Sequence, residues 1–163
     1  MRIMGIDLGN PGALAILSDD QPGKPRVVAT ASWGHTTGLH LQEMILALGR
    51  EHGVELVATE RPGSWGRRSV GMSQRGKQEV VRAACQALRV HLVDYQPRTI
   101  RAALGVRAQA AEGKRQVGRC VKLLVKIDSD NEHVLDACAL ALVALNREGS
   151  RRRMLAAKVR SQL

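Results

Sequence analysis

The stretch MRIMGIDLGNPGALAIL, residues 1–17, decides the fold of this chain. Its first apolar run indicates a strand that carries Asp7 close to its end. The Gly, Asn and Pro residues at 9–12 are typical of a turn, and they lead into a second strand, Ala13–Leu17. With a further strand at Arg26–Trp33, the pattern predicts an antiparallel meander of three strands.

Helical and strand patterns alternate through the rest of the chain. An apolar strand, Val54–Thr59, follows the first helical pattern, and a strand–helix–strand order favours a parallel crossover onto the same sheet. The other predicted elements are helices over 39–52, 72–89, 97–104, 117–125 and 131–146 and a strand over 90–93. The sequence therefore predicts an α/β fold, in which a mixed five-stranded sheet, the antiparallel meander plus parallel strands, is flanked by helices.

Length and cysteine content indicate one domain in a reducing compartment. A chain of 163 residues can bury a core without cross-links, and we predict one domain over residues 1–146 and a basic C-terminal tail over 147–163. Three cysteines, widely spaced among Ala, Leu and Val, are typical of small buried apolar side chains, not of disulfides or a zinc site. They are Cys85, Cys120 and Cys138.

The net charge points to a polyanionic partner. A formal charge of +10 and a pI of about 10.5 predict attraction to polyanions. The N-terminus lacks a signal-peptide pattern, and no apolar stretch approaches the length of a membrane span. We therefore expect a cytoplasmic protein that binds nucleic acid and no membrane.

Four side chains able to bind a metal ion lie where this fold would bring them together. Asp7 and Glu60 each close an apolar strand, which holds a carboxylate at the end of the sheet. His133 and Asp136 are three residues apart in a predicted helix and therefore share one of its faces. Carboxylates with one imidazole suit Mg²⁺ or Mn²⁺ better than a structural zinc. Since pairs of such ions commonly cut phosphodiesters, the set predicts a metal-dependent nuclease.

Four motifs then occur in order along the chain: GIDLGNPGALAIL, TERP, PRTIRAALG with GKRQVGRCVKLLV, and HVLDACALALVAL. Together they resemble the RuvC Holliday junction resolvases, whose fold is ribonuclease H-like. The resemblance covers roughly residues 1–146 and marks that range as a ribonuclease H-like nuclease domain. Leu8 stands where the family usually has proline, and Trp65 is offset from the position of the family's aromatic wedge.

The resemblance implies an endonuclease that resolves four-way or other branched DNA with symmetric nicks. Its metal ligands would be Asp7, Glu60, His133 and Asp136, holding Mg²⁺ or Mn²⁺, with two ions per active site. Lys114 would complete the catalytic set. The family acts as a homodimer, and the location expected is the cytoplasm of a bacterial cell or of a phage-infected host. The predicted helix over 72–89 could supply the dimer interface, although its apolar stripe equally suits the core.

Basic residues around the predicted site are expected to contact DNA. Arg101 and Lys114 fall where the family has lysines near the scissile phosphate. Trp65 could stack on an unpaired base or cap the core, and the arginines could instead form a solvated face. The predicted DNA-contacting residues are Arg61, Trp65, Arg67, Arg68, Arg75, Lys77, Arg101, Lys114 and Arg115.

Other functions stay open at this stage. GIDLGN also resembles the phosphate-binding strand of actin-like ATPases and sugar kinases, but those need two such domains and one domain fills this chain. A different ribonuclease H-like nuclease, acting on RNA–DNA hybrids or in RNA processing, is a closer alternative. A junction-binding protein without activity is the non-enzymatic one. Asp7, Glu60 and His133, taken singly, could each be an ordinary surface residue.

Overall fold

The computed structural model describes residues 1–20, 23–61 and 68–160, with the backbone alone at 68–73, at 110 and at 151–160. Strands and helices follow each other largely as the hydrophobic pattern predicts. In chain order the elements are β1 Arg2–Asp7, β2 Gly12–Ser18, β3 Arg26–Trp33, α1 Gly38–Glu51, β4 Leu56–Glu60, α2 Arg68–Leu88, β5 His91–Tyr95, α3 Pro97–Ala103, α4 Ala110–Val125 and α5 Glu132–Arg160.

Strand β1 lies in the middle of a five-stranded sheet with the order β3-β2-β1-β4-β5. β1 is antiparallel to β2, and β2 to β3, whereas β1, β4 and β5 are parallel. The predicted mixed sheet, a meander joined to parallel strands and flanked by helices, is therefore confirmed. The register pairs Ile6 of β1 with Thr59 of β4, so the residues that follow, Asp7 and Glu60, lie side by side.

The side chains of β1 alternate between two cores. Ile3 belongs to a core shared with α3, α4 and α5, whereas Met4 and Ile6 pack with α1 and α2. Because successive side chains of a strand point to opposite faces, Asp7 lies on the same face as Ile3, next to α5. Glu60 follows the same alternation in β4. Both carboxylates are therefore presented to the layer that contains α5.

Helix α5 packs directly against the sheet. From Val134 to Leu145 its residues are buried except for Asp136, which is half-buried, and the helix contacts β1, β2 and β4. The helix was predicted to end at Asn146 but continues to Arg160, so that the basic segment 147–160 is helical. The division into a domain over 1–146 and a tail over 147–163 stays a prediction. None of the helices in the described ranges has the length and apolar character that a membrane span requires.

The cysteines behave as apolar side chains. All three are free, and Cys85 and Cys138 are buried in the two cores. Burial raises the pKa of the Cys138 thiol to about 12 and that of Cys85 to about 11. The interpretation as small core residues is confirmed for Cys85 and Cys138, whereas Cys120 is half-buried at the edge of the core.

Candidate active site

An open cavity lies at the end of the sheet where β1 and β4 finish. Its volume is about 280 Å³, and side chains from β1, β4, α3, α4 and α5 line it. The charged groups in the lining are Asp7, Glu60, Arg101, Lys114 and Asp136. The structure thus brings three of the predicted metal ligands together with two of the predicted basic residues.

Both oxygens of Asp7 are engaged by the protein. The backbone N–H of Gly9 donates to Oδ1 at 3.0 Å, and Nδ1 of His133 lies 2.7 Å from Oδ2. Since an ionised carboxylate can only accept, Nδ1 of His133 carries the proton of this hydrogen bond. The Asp7 side chain keeps 21% of its surface exposed. The predicted fourth ligand, His133, therefore joins the site through Asp7.

An N-cap at the start of α5 fixes the position of His133. The side-chain oxygen of Asn131 accepts hydrogen bonds from the backbone N–H groups of His133, at 3.0 Å, and Val134, at 3.4 Å. An asparagine at this place satisfies the first free N–H groups of a helix. Asp136 follows His133 by three residues, so it lies on the same face of the helix and lines the cavity.

Lys114 of α4 is held between two acids of α5. Its Nζ lies 3.3 Å from Oδ2 of Asp136 and 2.9 Å from Oε2 of Glu132. Partial burial alone would lower the pKa of Lys114, but these two contacts outweigh it and the pKa lies above its usual value. Glu132 is not among the site residues that the sequence predicts. The one sequence feature that points to it is an acidic residue in the first turn of α5.

The carboxylates of the cavity repel one another. Desolvation raises the pKa of Glu60 to about 7, and the charges of Asp7 and Asp136 add to this effect, while Arg101 and Lys114 oppose it. Desolvation also raises the pKa of Asp136 above its usual value. Acids whose pKa values are raised by burial and by like charges are common at functional sites.

This electrostatic repulsion has a measurable consequence for stability. Without divalent cations, we expect Glu60→Gln to stabilise the protein near pH 8. A carboxyl whose pKa is raised on folding stabilises the fold while it is protonated, and this contribution is lost as the pH rises from about 4.5 through about 7. Because Glu60 is exposed to solvent on one side, the gain is screened to on the order of 1 kcal/mol.

Urea unfolding in EDTA at about pH 4.5 and about pH 8 measures this difference. Glu60→Gln should be more stable than the wild type at the higher pH only. Glu43→Gln makes the same chemical change at an exposed position of α1 and should change stability little at either pH. An equal stability of Glu60→Gln and wild type at both pH values would exclude the repulsion.

The donor set suits a hard divalent cation. Within the described part of the chain, no three His, Cys, Asp or Glu side chains lie close enough together to hold an ion as placed. Asp7 is hydrogen-bonded to His133, and the charge of Asp136 is offset by Lys114. Carboxylate oxygens around an open cavity nevertheless match the ligand chemistry of Mg²⁺ and Mn²⁺.

Lys77, one of the predicted DNA-contacting residues, does not lie on the surface. It is buried on α2, with 9% of its surface exposed. Its Nζ donates to the carbonyl oxygens of Leu8, at 3.2 Å, and Gly9, at 2.8 Å, and to Oδ1 of Asn10, at 3.1 Å. The ammonium therefore holds the turn that directly follows Asp7. Sequence spacing cannot reveal this role, since 69 residues separate Lys77 from Leu8.

Lys77→Met is expected to lower the free energy of unfolding by about 1–3 kcal/mol, because it leaves the oxygens of the turn without their donor. Arg75→Met removes an exposed cation two residues earlier in α2 and should cost less than about 0.5 kcal/mol. Urea unfolding compares the two variants. If Lys77→Met were as stable as the wild type and had lost only affinity for DNA, the prediction that Lys77 contacts DNA would be correct.

The other predicted DNA contacts vary in their surroundings. Arg61, directly after β4, and Arg75, on α2, are exposed. Arg115 is exposed on α4, and its guanidinium pairs with Glu112 at 2.6 Å. Outside the described part of the chain lie Trp65, Arg67 and the side chain of Arg68. Direct DNA contact by any of these residues stays a prediction.

The sheet order and the helix layers place the chain in the ribonuclease H-like class of α/β folds. Its structure is similar to that of Thermus thermophilus RuvC, with a TM-score of 0.78 and 21% sequence identity over 91% of this chain and 97% of that chain. T. thermophilus RuvC in complex with Holliday junction substrate matches with a TM-score of 0.76 and 20% identity, over 91% and 97% of the two chains. The fowlpox virus resolvase, in complex with Holliday junction DNA, matches with a TM-score of 0.60 and 14% sequence identity, over 90% of this chain and 98% of that chain.

These matches confirm the fold that the sequence motifs predict. The sequence itself matches no protein-family model and no curated protein. At these sequence identities, the structural similarity establishes the ribonuclease H-like fold. Support for an activity comes from the geometry of the site.

Proposed function

We propose that this protein is an endonuclease that resolves four-way and other branched DNA. The main support is the convergence of Asp7, Glu60 and Asp136 in one open cavity together with Lys114. Further support comes from the fold, which is shared with resolvases that were solved with junction DNA. The net charge of +10 suits a polyanionic substrate.

In the proposed hydrolysis of a phosphodiester, the residues in and beside the cavity have different roles. Because Nδ1 of His133 donates to Asp7, its Nε2 is the nitrogen left either to bind an ion or to accept a proton from the attacking water. Lys114 and Arg101 line the same cavity and would offset the negative charge that grows on the phosphate. Asp136 holds Lys114 in place through the 3.3 Å contact.

Asp7, Glu60 and Asp136, with His133, would hold Mg²⁺ or Mn²⁺, and we propose two ions per site. When bound, such ions lower the pKa of a water molecule and stabilise charge on the attacking and leaving oxygens. A cation would also relieve the repulsion that raises the pKa of Glu60.

A homodimer is part of the proposal, because resolution of a four-way junction needs two nicks related by symmetry. Helix α2 was one candidate for the interface. Val81 and Ala84 are fully buried within the chain, so this part of its apolar stripe packs in the core with α1. An interface on α2 would use its other faces. We place the proposed activity in the cytoplasm of a bacterial cell or of a phage-infected host.

Cleavage of a synthetic four-way junction, with Mg²⁺ and with Mn²⁺, tests the proposal. Linear duplex, a flap and an RNA–DNA hybrid of the same sequence serve as comparison substrates. Paired nicks at symmetric positions of the junction, absent in EDTA, are expected. Cleavage of the hybrid alone would instead indicate another branch of the fold, and tight junction binding without cleavage in either metal would indicate an architectural protein.

A further inference from the structure

A second depression lies beside the active-site cavity, between α4 and the start of α5. Its volume is about 210 Å³, and it shares Lys114 and Asp136 with the cavity. Away from the cavity its lining continues along α4 with Arg115, Arg119 and Lys122. We call this depression the α4 groove. Because the two depressions share Lys114 and Asp136, a DNA strand bound in the active site could continue into this groove.

The cations of the α4 groove follow one side of the helix. Arg115, Arg119 and Lys122 are separated by four and three residues, the spacing of neighbours on a helix surface. From Lys114 to Lys122 the helix rises about 12 Å, at about 1.5 Å per residue. One strand of DNA advances about 3.4 Å per nucleotide along a duplex, so the groove spans about three nucleotides.

The acids paired with these cations are open to exchange. Lys122 contacts Asp130 at 2.6 Å, and the Asp130 side chain is 99% exposed. Lys114 contacts Glu132, which is 69% exposed, and Arg115 pairs with the exposed side of Glu112. Exposed ion pairs of this kind contribute little to stability. A phosphate group can therefore replace the carboxylate at a low cost in free energy, because each acidic side chain can rotate away and be solvated by water.

The floor of the groove is shaped for close approach. Gly118 lies there beside Leu135, and a Cβ atom at Gly118 would come within 3.3 Å of Cδ1 of Leu135. Without a side chain at Gly118, the space above the floor stays open between the flanking cations. An apolar floor with cations along its edge suits a sugar–phosphate backbone, in which sugars alternate with charged phosphates.

We infer that the α4 groove binds the sugar–phosphate backbone of the DNA strand that continues from the scissile phosphate. This assigns phosphate contacts to Arg119 and Lys122, beside the Arg115 contact expected from the sequence. The inference rests on the proposed function and deepens it, since it specifies the path of the strand on one side of the active site. Recognition in the groove would be independent of base sequence.

The salt dependence of junction binding tests this inference. We compare wild type with the double variant Arg119→Ser/Lys122→Ser, using fluorescence anisotropy with a labelled four-way junction in EDTA at several NaCl concentrations. Each lost phosphate contact reduces the slope of log Kd against log salt by about 0.9, so the double variant should lose nearly 2 from the slope. Its affinity should fall on the order of tenfold at about 0.1 M salt.

Two further variants make the result specific. Lys24→Ser/Arg50→Ser removes the same charge from exposed positions near the opposite end of the sheet, and its slope should stay close to that of wild type. Arg119→Lys/Lys122→Arg keeps both charges and should retain the wild-type slope. An unchanged slope in the first double variant, or an equal loss in the Lys24/Arg50 variant, would overturn the inference. Junction cleavage by wild type is measured separately, and its failure would count against the proposed function alone.

Discussion

Asp7→Asn is expected to abolish junction cleavage, by about a thousandfold or more, while junction affinity stays within about threefold. Asp7 contacts His133, stands next to Glu60 in the sheet and faces the cavity that Asp136 also lines. Asparagine has nearly the same shape and can still accept the hydrogen bond from Gly9. The substitution therefore removes the charge needed for cation binding and leaves the turn intact.

Single-turnover cleavage in Mg²⁺ and Mn²⁺, with affinity measured in EDTA, separates the two effects. Asp20→Asn is the matched control, since it makes the same change at an exposed position that is paired with Arg26. That variant should cleave like wild type. Cleavage retained by Asp7→Asn would remove Asp7 from the catalytic site and with it the main support for the proposed function.

The same variant has a readout that does not depend on activity. The charge of Asp7 is the largest of the electrostatic contributions that raise the pKa of Glu60, after desolvation. In Asp7→Asn the pKa of Glu60 should therefore lie below its wild-type value of about 7. A carbon-13 NMR titration of the glutamate side chains measures this change. An unaltered titration would mean that the two carboxylates are farther apart than neighbouring strand ends allow.

The placement of the carboxylates could be predicted because it follows from local pattern. Asp7 and Glu60 end apolar strands, and strand alternation puts both on one face once β1 and β4 pair in parallel. His133 and Asp136 share a helix face by spacing alone. Motif order supplied what pattern could not, namely that these separate elements meet at the same end of one sheet. The fold could be predicted because the local hydrophobic pattern and the order of the motifs indicate the same topology.

Other features could not be predicted because they depend on tertiary packing. Lys77 looks like the exposed cations around it, and only the docking of α2 against the β1–β2 turn makes it a buried donor. The end of α5 was misplaced for a different reason. Apolar periodicity stops near Asn146, directly after the last buried residue described, Leu145, but Arg, Ala, Leu and Lys in 147–160 are good helix formers. Apolar periodicity marks the part of a helix that is packed in a core, and helix propensity can extend the helix beyond that part.

Gly5→Ala is expected to have the largest effect on stability. A Cβ atom at Gly5 would overlap the carbonyl oxygen of Ala137 and lie 2.7 Å from the backbone nitrogen of Ala141. Both atoms belong to the backbone of α5, so neither can move without shifting the helix. We expect a loss of at least about 3 kcal/mol in the free energy of unfolding and about 10 °C in Tm. Because α5 carries His133 and Asp136, junction cleavage should fall as well.

Gly76→Ala provides the control for Gly5→Ala, because no atom of the described residues lies within 4 Å of a Cβ atom at that position of α2. Alanine favours helix over glycine, so this variant should gain about 0.5–1 kcal/mol. Thermal and urea unfolding of both variants should thus show changes of opposite sign for the same added methyl group. If Gly5→Ala melted like wild type, α5 could not pack on β1 as closely as the structure places it. The contact between Asp7 and His133 depends on that close packing, so the candidate site would then need a different geometry.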